Sequence, residues 1–251
     1  MIRLAQAKDF KHLKPHNEAA VRILALAASY GVECKFIRFW CDSDRQLFIA
    51  AMDSHAVISV DVNIDFNELY IFLSMQQDIK SVRTSRFAAQ KLAAAGGWKY
   101  KSGIVMTAGK ELQSPVLKPI SLTPRDVYPL LKACFDTGLP EFDTWYVDVS
   151  HRLRRGLCRM VGFCIDSVPV ACAMTTAECE NAAVIGGVAT LPRARGRGFA
   201  SANVLTQTHQ LLGEKKKVFL SPKNDAAYKL YFKIGFVRCG EWADMILTER
   251  I

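Results

Sequence analysis

Apolar positions along this chain change their period repeatedly, and each change predicts an element. In residues 17–31, Ala19, Val21, Leu24 and Ala27 fall on one side of a helix that Gly31 stops. Three short extended runs follow at 35–40, 47–52 and 56–60. Residues 61–76 read as loop and helix, 79–84 as a strand, 87–95 as a helix ended by Gly96-Gly97, and 103–107 as a strand. Residues 108–119, AGKELQSPVLKP, break the pattern with prolines, a glycine and mixed charge, as a domain boundary does. Beyond them it restarts. Thr123 with Pro124 predicts an N-capped helix through Cys134; residues 140–149 read as a loop carrying Phe142, Trp145 and Tyr146. Strands at 159–165 and 170–176 flank a turn at Asp166-Ser167-Val168-Pro169, and 218–220, 225–234 and 237–247 read as strand, helix and strand. The alternation predicts an α/β (α+β) chain of two domains, 1–112 and 117–251.

The most informative stretch is AAVIGGVATLPRARGRGFASANVLTQTHQ, residues 182–210. An apolar run interrupted by Gly186 and Gly187 leads through a basic turn, 192–198, into a helix with Phe199, Ala202, Leu205, Leu211 and Leu212 on one side. A strand, a tight basic turn and a helix suit a phosphate group. The first helical N–H groups lack backbone partners and sit at the positive end of the macrodipole. Gly196 and Gly198 permit positive φ and offer no Cβ to keep an anion away, while Arg193, Arg195 and Arg197 add charge. No Gly-Lys-Ser/Thr closes the turn, so it is not a Walker loop, and its spacing is not GxGxxG.

Composition narrows the reading. Half of the 251 residues are hydrophobic, enough for full cores, yet no run approaches the ~18 to 20 apolar residues that cross a bilayer. The opening MIRLAQAKDFKHLK lacks the apolar core of a signal peptide. The eight cysteines show no CxxC pairing and read as reduced core thiols; the five histidines show no ligand spacing, so no metal is expected. A cytoplasmic protein, monomer or homodimer, is the expectation. The net charge of +9 raises nucleic acid as a partner. The basic residues are spread out, however, and the run at 215–217 reads as a solvated helix end. An anionic small molecule accounts for the central arginines more economically.

The spacing Arg193-x-x-Gly196-x-Gly198, after Val188-Ala189-Thr190 and before Ala200, resembles the acetyl-CoA motif of the GNAT family of N-acetyltransferases. A second stretch, Asn224 through Tyr228, Tyr231 and Gly235-Phe236, resembles the family's other hallmark and follows at a fitting distance. The first half echoes it: Ala88 to Trp98 aligns without gaps on Ala226 to Phe236, but Gln90 and Ala93 stand where Tyr228 and Tyr231 do, and no glycine-arginine turn precedes. The resemblance therefore implies two GNAT-like domains, each a mixed, mostly antiparallel sheet flanked by helices. The first is a degenerate domain without a cofactor site and the second binds acetyl-CoA.

It further implies pantetheine pairing along Val188, Ala189 and Thr190, and pyrophosphate binding by Arg193 and the N–H groups of Arg195, Gly196, Arg197, Gly198, Phe199 and Ala200. Asn224 and Tyr228 would line the far wall. By position Tyr231 is the general acid, protonated at neutral pH, and the N–H of Val188 polarises the thioester oxygen. The base is open. Where some members carry a glutamate on the organising strand, this chain has Ala182. Glu178 and Glu180, just upstream, either reach the cleft or face water. Glu141 and Asp143 are further acidic candidates, and the aromatic residues beside them either contact substrate or pack. The activity implied is transfer of acetyl from acetyl-CoA to a primary amine. The alternative is a CoA-binding sensor or interaction protein without turnover.

Overall fold

The computed structural model describes all residues except 62, 136, 137, 250 and 251. In the first half, β1 (Arg3–Leu4) precedes α1 (Glu18–Tyr30), which starts where Asn17 accepts the Ala20 N–H and stops at Gly31 with φ 82°. Strands β2 (Ile37–Cys41), β3 (Leu47–Met52) and β4 (His55–Val60) form an antiparallel meander. Then come α2 (Phe66–Met75), β5 (Ser81–Ser85), α3 (Arg86–Ala94) and β6 (Trp98–Ala108).

In the second half, β7 (Ile120–Ser121) leads to α4 (Pro124–Cys134) and α5 (Phe142–Arg154). The hairpin β8 (Met160–Ile165) and β9 (Val168–Glu178) turns at Asp166 and Ser167, both at positive φ. β10 (Ala182–Thr190), α6 (Phe199–Gly213), β11 (Lys217–Leu220), α7 (Asp225–Lys233) and β12 (Phe236–Leu247) complete the order.

These elements fall into two compact units, Met1–Val105 with Cys239–Ile251, and Met106–Arg238. The chain crosses within β6 and returns within β12, so the division expected at 112–117 lies inside the second unit, and the last residues group with the first. In the first unit β4 pairs parallel with β5, and the meander on one side and β12 on the other pair antiparallel. Alternating side chains feed two cores. Trp40, Ile49 and Ile58 pack with Leu69 and Leu73 of α2 and Leu92 of α3, while Phe39, Phe48 and Val57 pack with Ala20 and Ile23 of α1. In the second unit the order is β6-β11-β10-β9-β8-β7, parallel only between β10 and β11. Each unit is thus a mixed, mostly antiparallel sheet with helices.

Two expectations fail here for physical reasons. Residues 140–149 are not a loop: Phe142, Trp145, Tyr146 and Val149 recur at helical spacing, and α5 lays them against Tyr128 and Leu131 of α4. The aromatic residues therefore pack. The lysine run at 215–217 is not simply a solvated helix end either. Lys216 is 12% exposed and donates to Glu178 at 2.7 Å.

Candidate active site

β10 and β11 run parallel from Ala182 opposite Lys217 to Ile185 opposite Leu220, and there the pairing ends. On its other edge β10 slips against β9, between Val184 and Ile185 and again between Gly186 and Ala189, leaving Val188 inside the slip. Gly187 holds φ +54° in this bulge. A Cβ there would meet Met174 Cγ at 2.9 Å and Leu131 Cδ2 at 3.4 Å, so glycine is required by conformation and by space. Beyond the split, 186–190 of β10 line a cleft of about 690 Å³ whose other walls are the turn 194–201, the length of α7 and the end of α4.

Gly198, at φ +79°, is the N-cap of α6 and supplies no side-chain cap. The N–H groups of 196–201 find no acceptor among the described residues, and all of these residues line the cleft. Open space surrounds a Cβ built on Gly196, whose φ is +78°. Unpaired donors, a helix N-terminus and cleft-lining Arg195 and Arg197 together suit an anion chemically. The Arg195 Nε donates to the Thr190 carbonyl at 3.2 Å, tying the turn to the strand end.

Of the residues singled out in the sequence, Val188, Ala189, Thr190, Arg195, Gly196, Arg197, Gly198, Phe199, Ala200, Asn224 and Tyr231 line this cleft. Asn224 caps α7, its Oδ1 accepting the Ala227 N–H at 2.9 Å. Tyr231 is 6% exposed, and burial pushes its phenol up to about 12. Its hydroxyl takes no hydrogen bond among the described residues.

Four residues stand elsewhere. Arg193 borders a shallow basin with Asp166 and Arg197 instead of the cleft. Tyr228 is absent from the lining and stacks on Phe232 at 6.3 Å between centroids. Glu180 is exposed between β9 and β10, outside the cleft. Glu178 is fully buried and accepts from Arg159 Nη2 at 2.7 Å, Lys216 Nζ at 2.7 Å and Thr175 Oγ1 at 3.0 Å. A carboxylate bound by two cations has no free lone pair for a substrate, and this corrects its reading as a candidate base.

Sequence reading missed Lys223, Lys229, Lys233, Ser221, Cys134 and Phe135, which also line the cleft. The spacing of Ala226, Lys229, Leu230 and Lys233 on one helix held the signal for two of them. The hydroxyls of Thr190 and Ser221 are buried without a partner among the described residues. Also among these residues, no His, Cys, Asp and Glu grouping could hold a metal, and no helix is long and apolar enough to cross a membrane.

Residues 160–243 match the FR47-like protein family. No curated protein matches in sequence. A GCN5-related N-acetyltransferase from Kribbella flavida superposes with a TM-score of 0.64 at 17% identity, over 90% of this chain and 96% of its own. A Drosophila protein gives 0.72 at 12% identity over 100% and 99%. A tandem GNAT protein from the clavulanic acid biosynthesis pathway gives 0.60 at 13% identity over 98% and 97%. The FR47-like segment spans the bulge, the turn and α7, and the whole chain shares the fold of these solved structures.

Proposed function

We propose that the second unit is an acyl-CoA-dependent N-acyltransferase that moves acetyl from acetyl-CoA to a primary amine. The observation that carries this reading is the row of unpaired N–H groups over 196–201, opening into a cleft that also holds the β10 bulge and Tyr231. Bound acetyl-CoA supplies an activated acyl group and a thiol leaving group. The 196–201 donors, with Arg195 and Arg197, hold its diphosphate. The free edge of β10 offers backbone groups to the pantetheine amides, and Val188, inside the slip, donates its N–H to the thioester oxygen. The amine nitrogen forms the new C–N bond as the C–S bond breaks. Tyr231, neutral in its buried setting, gives its proton to the departing sulfur; the amine's proton leaves to water, and the Tyr231 phenolate takes a proton back from water to close the cycle. Holding both reactants in one cleft supplies much of the rate.

The first unit is, on this reading, a degenerate copy. It repeats the parallel pair and crossover helix, but Asp65 caps α2, accepting the Asn67 N–H at 2.9 Å and the Glu68 N–H at 3.1 Å. A carboxylate already occupies the position a phosphate would take. A non-catalytic CoA sensor is the second reading, favoured by the lack of any carboxylate or imidazole in the cleft lining among the described residues. Thiol release from acetyl-CoA with an amine panel separates the two: amine-dependent release supports the enzyme, and binding without release over the whole panel supports the sensor.

A further inference from the structure

The cleft wall carries cations beyond those of the phosphate-binding turn. Among the described residues its lining holds Arg195, Arg197, Lys223, Lys229 and Lys233 against no carboxylate. Lys223 differs from the rest in where it is held. Its Nζ sits 4.9 Å from the centroid of Phe135, the residue that ends α4. Leu131, one turn earlier in α4, lies against the Gly187 bulge. The Lys223 ammonium is therefore at the α4 end of the cleft, the same helix end that meets the bulge where acyl transfer would occur. The pantetheine arm keeps the phosphates of CoA far from the thioester, so those phosphates do not account for a cation there. Only Ser221 and Pro222 separate Lys223 from the end of β11, which limits how far its backbone can stray from the split.

Building on the acyltransferase reading, we infer that the acceptor is an amine that also carries an anionic group, a carboxylate or a phosphate, which Lys223 receives. A polycation such as a polyamine would bring like charge to this end of the cleft and is excluded as the natural acceptor. A small amine with a negative group meets the cation while its neutral nitrogen faces the thioester.

The test compares matched acceptors on the full chain: an α-amino acid against its amide, an amino-sugar phosphate against the free amino sugar, and spermidine. Each is measured by thiol release and by calorimetric binding to protein loaded with acetyl-CoA, for wild type, Lys223→Gln and Lys223→Glu. The expected result is a preference of about tenfold or more in kcat/KM for one anionic member over its neutral twin. Lys223→Gln removes the preference and Lys223→Glu reverses it, through KM, with acetyl-CoA affinity unchanged. The amino-acid and sugar arms distinguish carboxylate from phosphate. Equal use of charged and neutral twins, a preference for spermidine, no binding of any acceptor, or a loss in Lys223→Gln that falls on kcat for all acceptors alike would overturn the inference. Failure of the wild type to bind acetyl-CoA would instead remove the acyltransferase reading beneath it.

Discussion

Burial raises the Tyr231 phenol to about 12, which keeps it protonated while making it a weaker acid, and its hydroxyl has no protein partner among the described residues to hold it elsewhere. Such a group stays protonated through the whole physiological range. Tyr231→Phe should lower turnover by about 10²-fold or more while acetyl-CoA affinity stays within about twofold, checked by steady-state kinetics beside calorimetry. Equal losses in both would make it a packing residue. Its proposed role rests on position in a motif, and its place in the cleft lining was legible from that motif. The role of Glu178 was not. Glu178 looked available until the fold brought Arg159 and Lys216 onto it from 19 and 38 residues away. Long-range pairing of this kind leaves no local pattern. Glu18 shows the same effect in the first unit. Burial raises its carboxyl, but Arg22 and Arg83 outweigh that and bring it to about 2. The unfolded chain then binds the proton more readily, so stability is present at neutral pH and falls as pH drops from about 4.5 towards 2. Acid titration of stability should show a shallower fall in this window for Glu18→Gln than for wild type. Parallel curves would deny the coupling.

At the scale of elements, the bulge in β10 and the N-terminus of α6 position the chemistry. Gly187→Ala should force the bulge to shift, because its Cβ would meet Met174 and its φ is positive. A stability loss of about 1 to 3 kcal/mol is expected, with weaker acetyl-CoA binding. Denaturant unfolding and calorimetry read both, and unchanged binding would show that the bulge does not shape the site. Caps distinguish the two crossover helices. Gly198 leaves the donors of α6 free, whereas Asp65 uses those of α2. Asp65→Ala should cost about 1 kcal/mol and create no second acetyl-CoA site. Most elements were legible from periodicity and stop signals: Asn17 and Gly31 bracket α1, and Thr123 with Pro124 opens α4. α5 was misread because Pro140 and the short polar residues near it suggest a turn. Its aromatic spacing is helical, and only the packing of Tyr128 on Phe142 and Trp145 decides between the two readings.

On the scale of the whole molecule, the internal repeat gave the two-part architecture, and each part carries a parallel strand pair bridged by a helix. The division point was not legible. Prolines and charge at 108–119 look like a linker, yet the chain changes unit inside β6 and β12, where strand sequence is continuous. The +9 charge fits an anionic co-substrate, with part of it concentrated in one cleft. The central claim is that this chain has one acetyl-CoA site, built by the uncapped end of α6. Calorimetric titration with acetyl-CoA measures affinity and stoichiometry together, on wild type, Gly196→Asp and Gly196→Asn. The two variants share shape and backbone demand and differ in charge. One site per chain is predicted, largely kept in the Asn variant and lost in the Asp variant. No binding by the folded wild type, two sites, or equal binding by both variants would contradict it.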